Sequence, residues 1–262
     1  MVRILLLETS AALCSAALSE DGRCVAYKEC TTPRSHAAMT AVLIDELLKE
    51  LGLRIQDCDA VCVSRGPGSY TGLRVGVSTA KGLCFGAGIP LLAVGTLDVL
   101  VAQAAKQSST WAAEFDTIIP VVDARRDEVY TAVYTPDPDC PFIPYTHQNI
   151  PSGFVVHKRA TPVRSLIVGQ EDFAFDFPGK SVLFIGDAAD KCARLLSDPA
   201  QPHALRAADF ARCSFVQTQP QALAMAAPAQ KAFESGAFED VAYFEPFYLK
   251  DFVATTSKKK LF

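Results

Sequence analysis

The order of elements in the first 107 residues constrains this chain more than any other feature. "ILLLET" (4–9) is an apolar strand. "CSAALSEDGRCVAYKEC" (14–30) holds two further strands joined at Asp21-Gly22, a dipeptide that suits a tight hairpin turn. Helical periodicity follows at 35–52, a strand at 60–64, a helix at 70–86, a strand at 90–95 and a helix at 96–107. Ser35 and Thr96 stand where helix caps are expected, and Gly52 stands where the first helix should stop. Three strands in sequence, then strands alternating with helices, predict an α/β protein with a mixed sheet flanked by helices.

The pattern then restarts. "TIIPVVDARRDEVYTAVY" (117–134) parallels "ILLLETSAALCSAAL" (4–18). In both, an apolar strand ends at an acid, Glu8 or Asp123, and a second strand begins five or six residues later. "SVLFIGDAADKCARLLSD" (181–198) adds a strand, a Gly-Asp turn and a helix. Two related halves are expected, 1–108 and 109–262, with a helix near 218–235 able to pack back on the first half. Residues 135–180, rich in proline and aromatics, predict short strands and loops, and the tail 255–262 reads as flexible.

The glycine-rich run "SRGPGSYTGLRVG" (64–76) lies between a strand and a helix, a setting that often cradles phosphate. It lacks the Gly-Lys-Ser/Thr ending of a Walker loop and the Gly-x-Ser-x-Gly spacing of a nucleophile elbow. Gly66 and Gly68 suit the turn. Gly72, Gly76, Ala80 and Cys84 fall at i, i+4, i+8 and i+12, a stripe of small residues that lets another backbone approach. Spacing leaves open whether that backbone belongs to this chain or another. On helix 35–52, apolar residues cover more of the circumference than packing on one sheet requires.

Glu8, Thr9 and Ser10 could hold a phosphate and its metal. The preferred reading is a solvated loop acid with two turn-shaping hydroxyls. On "SHAAMT" (35–40), a histidine pair at i and i+4 would bind a metal, but Thr40 stands four residues after His36. His36 is therefore expected to bond locally at the helix start, and no metal is expected. His147, His157 and His203 fall in the irregular half.

Net charge is −4 and the isoelectric point about 5.6. A chain that wraps nucleic acid alone usually carries a basic excess, so contact with RNA is expected only through a partner. The nine cysteines form no CxxC pair, which suits a reducing cytoplasm. No stretch is apolar enough to span a membrane, and the N-terminus enters a strand at once with no targeting pattern.

"SRGPGSYTGLRVGVSTAKGL" resembles the signature of the bacterial TsaB (YeaZ) family. "LLLETSAALCSAAL", "SHAAMTAVLIDELL", "DARRDEVYTAVY" and "PFYLKDF" match that family in the same order. The resemblance implies two ribonuclease-H-like halves of the acetate kinase/Hsp70/actin (ASKHA) fold. It also implies a role in making threonylcarbamoyladenosine at position 37 of tRNA, as a non-catalytic cytoplasmic partner of the metal-binding subunit TsaD. A TsaE-like ATPase is the further implied companion, with a homodimer when alone and tRNA met indirectly. No tightly bound cofactor is implied, and a nucleotide only at a boundary between subunits. The implied subunit surface uses helices 35–52 and 70–86, with Ala41, Ile44, Leu48, Gly72, Leu73, Gly76, Ala80 and Lys81 as its residues. Glu8, Thr9, Ser10, His36 and Asp123 become remnants of a nucleotide or metal site. The family usually has Asp-Thr-Ser where this chain has Glu8-Thr9-Ser10. The alternatives are a stand-alone ATPase or phosphotransferase of the same fold, and a metallo-glycoprotease.

Overall fold

The computed structural model describes residues 1–32, 35–107, 115–137, 157–173 and 180–250. Cys140, His147, the tail 255–262 and residues 108–114 lie outside the described residues.

The first sheet contains β1 (Arg3–Glu8), β2 (Cys14–Glu20), β3 (Arg23–Cys30), β4 (Ala60–Ser64) and β5 (Leu91–Val94), in the order β3-β2-β1-β4-β5. β1 pairs antiparallel with β2 and parallel with β4. The helices are α1 (His36–Glu50), α2 (Tyr70–Ala87) and α3 (Thr96–Gln107). Ile4, Leu5, Leu6 and Leu7 are all fully buried, because helices cover both faces of this central strand. Leu5, Leu7, Val61 and Val63 meet Leu43 and Leu47 of α1 and Val77, Ala80 and Cys84 of α2. Ile4, Leu6, Ala60 and Cys62 meet Met225, Ala226 and Ala229 on the other side. β3 is the edge strand, and its exposed Arg23 and Glu29 place charge where it discourages edge pairing.

The second sheet contains β6 (Thr117–Asp123), β7 (Glu128–Thr131), β10 (Arg164–Ile167), β11 (Val182–Gly186) and β12 (Cys213–Gln217), in the order β10-β7-β6-β11-β12. β8 (Tyr134–Pro136) and β9 (His157–Arg159) attach beside β6. This order repeats that of the first sheet: two strands joined by antiparallel pairings on one side of the central strand and two joined by parallel pairings on the other. α4 (Ala189–Leu196) covers one face through Cys192, Leu195 and Leu196. α3 covers the other through Leu97, Leu100 and Ala104, against Ile118, Val122 and Ile185. A single turn, α5 (Ala207–Phe210), leads into β12, and α6 (Ala226–Glu234) returns to the first sheet.

The helix ends differ from expectation at two caps. Ser35 does not cap α1; its hydroxyl donates to the Thr32 carbonyl (2.7 Å). The Thr96 hydroxyl is buried without a hydrogen-bond partner at the start of α3. Gly52 does close α1, at φ +65°, a conformation that costs glycine little. α2 is capped by Ser69, whose hydroxyl accepts from the Gly72 amide (3.2 Å), and ends at Gly88 in the left-handed region.

Candidate functional site

The glycine stripe of α2 packs inside this chain, which settles the question that spacing left open. A Cβ on Gly72 would lie 2.0 Å from the Thr9 carbonyl oxygen, and one on Gly76 2.2 Å from the Thr9 hydroxyl. A Cβ on Gly68 would lie 2.3 Å from the Ser10 carbonyl oxygen, which also accepts from the Ser69 amide (2.6 Å). The glycines therefore let α2 and its leading loop close onto the turn that follows β1. Gly72, Leu73, Gly76 and Ala80 are all buried against their own chain. Lys81 is half-buried, and its ammonium donates to the Ala242 (3.1 Å) and Phe244 (2.9 Å) carbonyls and pins the C-terminal segment.

The other three expected surface residues lie together. Ala41, Ile44 and Leu48 of α1 face Thr79 and Leu83 of α2 across a groove of about 420 Å³. The same two helices turn large apolar side chains to solvent: Val42 of α1 is 41% exposed, and Phe85 of α2 is 86% exposed. Ser78 and Gly82, small and uncharged, share the exposed side of α2 with Phe85. Phe85 is not among the residues expected from the sequence, although its signal is there. Residues 71, 74, 78, 82 and 85 share the helical face opposite the small-residue stripe, so a phenylalanine there cannot reach the sheet.

Glu8 is buried rather than solvated, because α2 roofs the end of β1. Its Oε1 accepts from the Ser10 amide (2.6 Å) and from the Ser64 hydroxyl (2.8 Å). Oε2 has no hydrogen-bond partner, and neither do the buried hydroxyls of Thr9 and Ser10. Burial pushes the Glu8 carboxyl above its ordinary range, against the lowering effect of those hydrogen bonds. Thr9 is thus turned toward α2, and Glu8 is tied to Ser10 and Ser64 through Oε1 alone.

Asp123 ends β6 in the position equivalent to Glu8, and its surroundings are the reverse. It is exposed, and its Oδ1 accepts from the Arg125 amide (2.7 Å) and the Lys191 ammonium (2.5 Å). Asp187, just after β11, accepts from the Asp123 amide (2.8 Å), and burial raises its carboxyl to about 6.

His36 bonds across the fold rather than locally: its Nε2 lies 2.9 Å from the Ala11 carbonyl, in the turn after β1. Thr40 donates to the His36 carbonyl (2.7 Å) and lies 3.2 Å from Cys14 Sγ. Both side chains are therefore committed to holding α1 against the β1–β2 turn. Among the described residues, no group of three His, Cys, Asp or Glu side chains is placed to hold a metal. No helix among them is long and apolar enough to cross a membrane.

The family described as "TsaD: tRNA N6-adenosine threonylcarbamoyltransferase" matches residues 30–258. The tRNA threonylcarbamoyladenosine biosynthesis protein TsaB of Escherichia coli is 35% identical over 136 residues, 52% of this chain and 56% of that protein. TsaB of Haemophilus influenzae is 38% identical over 127 residues, 48% of this chain and 51% of that protein. The chain thus spans about half the length of the curated relatives it matches. The solved structure of YeaZ from Pseudomonas aeruginosa superposes with a TM-score of 0.72 at 24% identity, covering 95% of this chain and all of that one, which shows the shared fold. The family model covers most of the chain, so the chain belongs to the family described as TsaD: tRNA N6-adenosine threonylcarbamoyltransferase, and over about half of its length it is similar to TsaB proteins.

Proposed function

We propose that this protein is a non-catalytic, cytoplasmic subunit that supports a TsaD-like partner in threonylcarbamoylation of adenosine 37 in tRNA. The observation that carries this reading is the outer side of the α1–α2 pair. Phe85 of α2 stands almost fully exposed, Val42 of α1 faces solvent, and Ala41, Ile44 and Leu48 line a separate groove between the two helices. Ser78 and Gly82 leave the exposed side of α2 low beside Phe85, with Lys81 one turn before it. A large aromatic in that setting is a typical anchor for a partner surface. The partner is the TsaD-like subunit in the complex and a second copy of this chain when alone, with a TsaE-like ATPase as a further companion. The tRNA is met through the complex.

The commitments of Glu8, His36, Thr40 and Asp123 to internal bonds support a scaffold over a stand-alone ATPase, phosphotransferase or metallopeptidase. Any nucleotide is bound at the boundary with the partner. The shared strand order of the two sheets supports two ribonuclease-H-like halves of an ASKHA fold. The test is co-purification with the TsaD-like protein of the same organism, followed by tRNA modification with and without this chain. Modification that requires this chain, while the isolated chain neither modifies tRNA nor hydrolyses ATP, is the expected result. Full modification in its absence, or ATP turnover by the chain alone, overturns the proposal.

A further inference from the structure

Two of the cysteines face each other across the first hairpin. Cys14 opens β2 and Cys30 closes β3, and the antiparallel register pairs them directly. They lie at the hairpin's open end, away from the Asp21-Gly22 turn. Directly opposed residues in an antiparallel pair share a face, with Cα atoms about 4.5–5.5 Å apart. That separation lies inside the range of about 4.4–6.8 Å that a disulfide spans. Both side chains pack in the cluster beneath α1. Cys30 Sγ lies 3.3 Å from the Ser35 hydroxyl, and Cys14 Sγ lies 3.2 Å from that of Thr40, so both sulfurs touch the start of α1.

The two thiols are not equivalent. Cys30 is part-exposed, and hydrogen bonds from Ser35 and Thr32 lower its thiol below the ordinary value. Cys14 is buried, and burial raises its thiol. A part-exposed thiol that ionises readily, beside a protonated one, is the arrangement of an attacking and a resolving cysteine.

We propose that Cys14 and Cys30 form a peroxide-oxidisable dithiol, a modification site that ties the hairpin's open end and alters the start of α1. The Cys30 thiolate attacks one oxygen of a peroxide. The O–O bond breaks, and the departing oxygen leaves as an alcohol or water after taking a proton. Cys30 is then a sulfenic acid. The Cys14 sulfur attacks the Cys30 sulfur, the S–O bond breaks, and the hydroxyl leaves as water with the Cys14 proton. The two thiols lose two electrons and two protons, and the peroxide is reduced. Forming the bond draws Cys14 from Thr40 and Cys30 from Ser35, so the N-terminal end of α1 and the residue before it lose these contacts.

The test treats the full chain with hydrogen peroxide, counts free thiols and maps linked peptides by mass spectrometry. The expected result is one Cys14–Cys30 linked peptide, two fewer free thiols per chain, and full reversal by dithiothreitol. Cys30→Ser and Cys14→Ser lose the link, while Cys24→Ser keeps it. The wild-type peptide map decides the matter even if a variant folds poorly. Cys30 found as a sulfenic or sulfinic acid with Cys14 still free overturns the proposal. So does a link to another cysteine, or no loss of thiols.

Discussion

α2 and α4 follow equivalent strands in the two sheets, and they have been put to different uses. Each comes directly after the first parallel neighbour of its central strand. α2 carries Gly72 and Gly76 and closes down on Thr9, sealing Glu8 in the interior. In the second sheet the close approach falls on Gly186 instead, where a Cβ would lie 2.0 Å from the Val121 carbonyl oxygen. α4 then stands over an open strand end, and its Lys191 reaches down to Asp123. The outer faces differ as well. α4 shows Asp190 and Arg194 to solvent, whereas the second half of α2 shows Ser78, Gly82 and Phe85. Water solvates the two charges of α4 well, but it gains nothing from Phe85. One connectivity thus produces a helix shaped to be covered and a helix shaped to stay wet.

The inner face of α2 should be the most sensitive element. Gly76→Leu is expected to destabilise the protein by about 3 kcal/mol or more, since the added side chain runs into Thr9 with no room to move. Gly82→Ala, on the outer face of the same helix, has nothing within 4 Å of its new Cβ and should stabilise by about 0.5–1 kcal/mol. Urea unfolding midpoints of the two variants check the contrast. Equal shifts would mean that α2 does not sit on the β1 turn as described.

The outer faces are separated by association. Phe85→Asp should leave the fold intact and weaken binding to the partner or to a second copy by about 2 kcal/mol, roughly 30-fold. Arg194→Ala on α4 should leave binding unchanged. Sedimentation or titration calorimetry of both variants checks this, and a loss confined to Arg194→Ala would reverse the assignment of the two helices.

The acids give a smaller effect. Asp187 has a raised folded-state carboxyl, so the folded chain holds more protons than the unfolded chain between about 4 and 6. Its contribution is present below that window and is lost as pH rises through it. Asp187→Asn keeps an oxygen acceptor for the Asp123 amide. It should flatten the pH dependence of stability between pH 4 and 6, by roughly 1–2 kcal/mol after screening by solvent. Glu8→Gln should act in the same direction at higher pH than an ordinary carboxyl, because burial raises Glu8. Unfolding of the two variants, each measured against pH, checks both. Lys191→Met should cost less than about 1 kcal/mol and lose its effect in high salt, as suits a pair with an exposed carboxylate.

The strands and helices of the first 107 residues and their order were legible in the sequence because period, turn dipeptides and apolar runs are local signals, whereas β12 and the short helix before it were not read. The departure from a histidine pair at Thr40 was legible for the same reason. The fate of Glu8 was not: a strand-end acid followed by hydroxyls looks solvated until a glycine-bearing helix is laid over it. His36 likewise bonds to Ala11, 25 residues earlier, which no local reading reaches.

The sequence by itself determined the alternation of elements, the stripe of small residues on α2 and the two acids at equivalent strand ends. Only the tertiary structure decided which side of α2 faces its own chain. Spacing along a helix defines a face but carries no information about the neighbour that meets it. The turn after β1 takes the glycines, because Thr9 leaves no room for a side chain there. That leaves Phe85 pointing outward, with nothing of its own chain to cover it among the described residues.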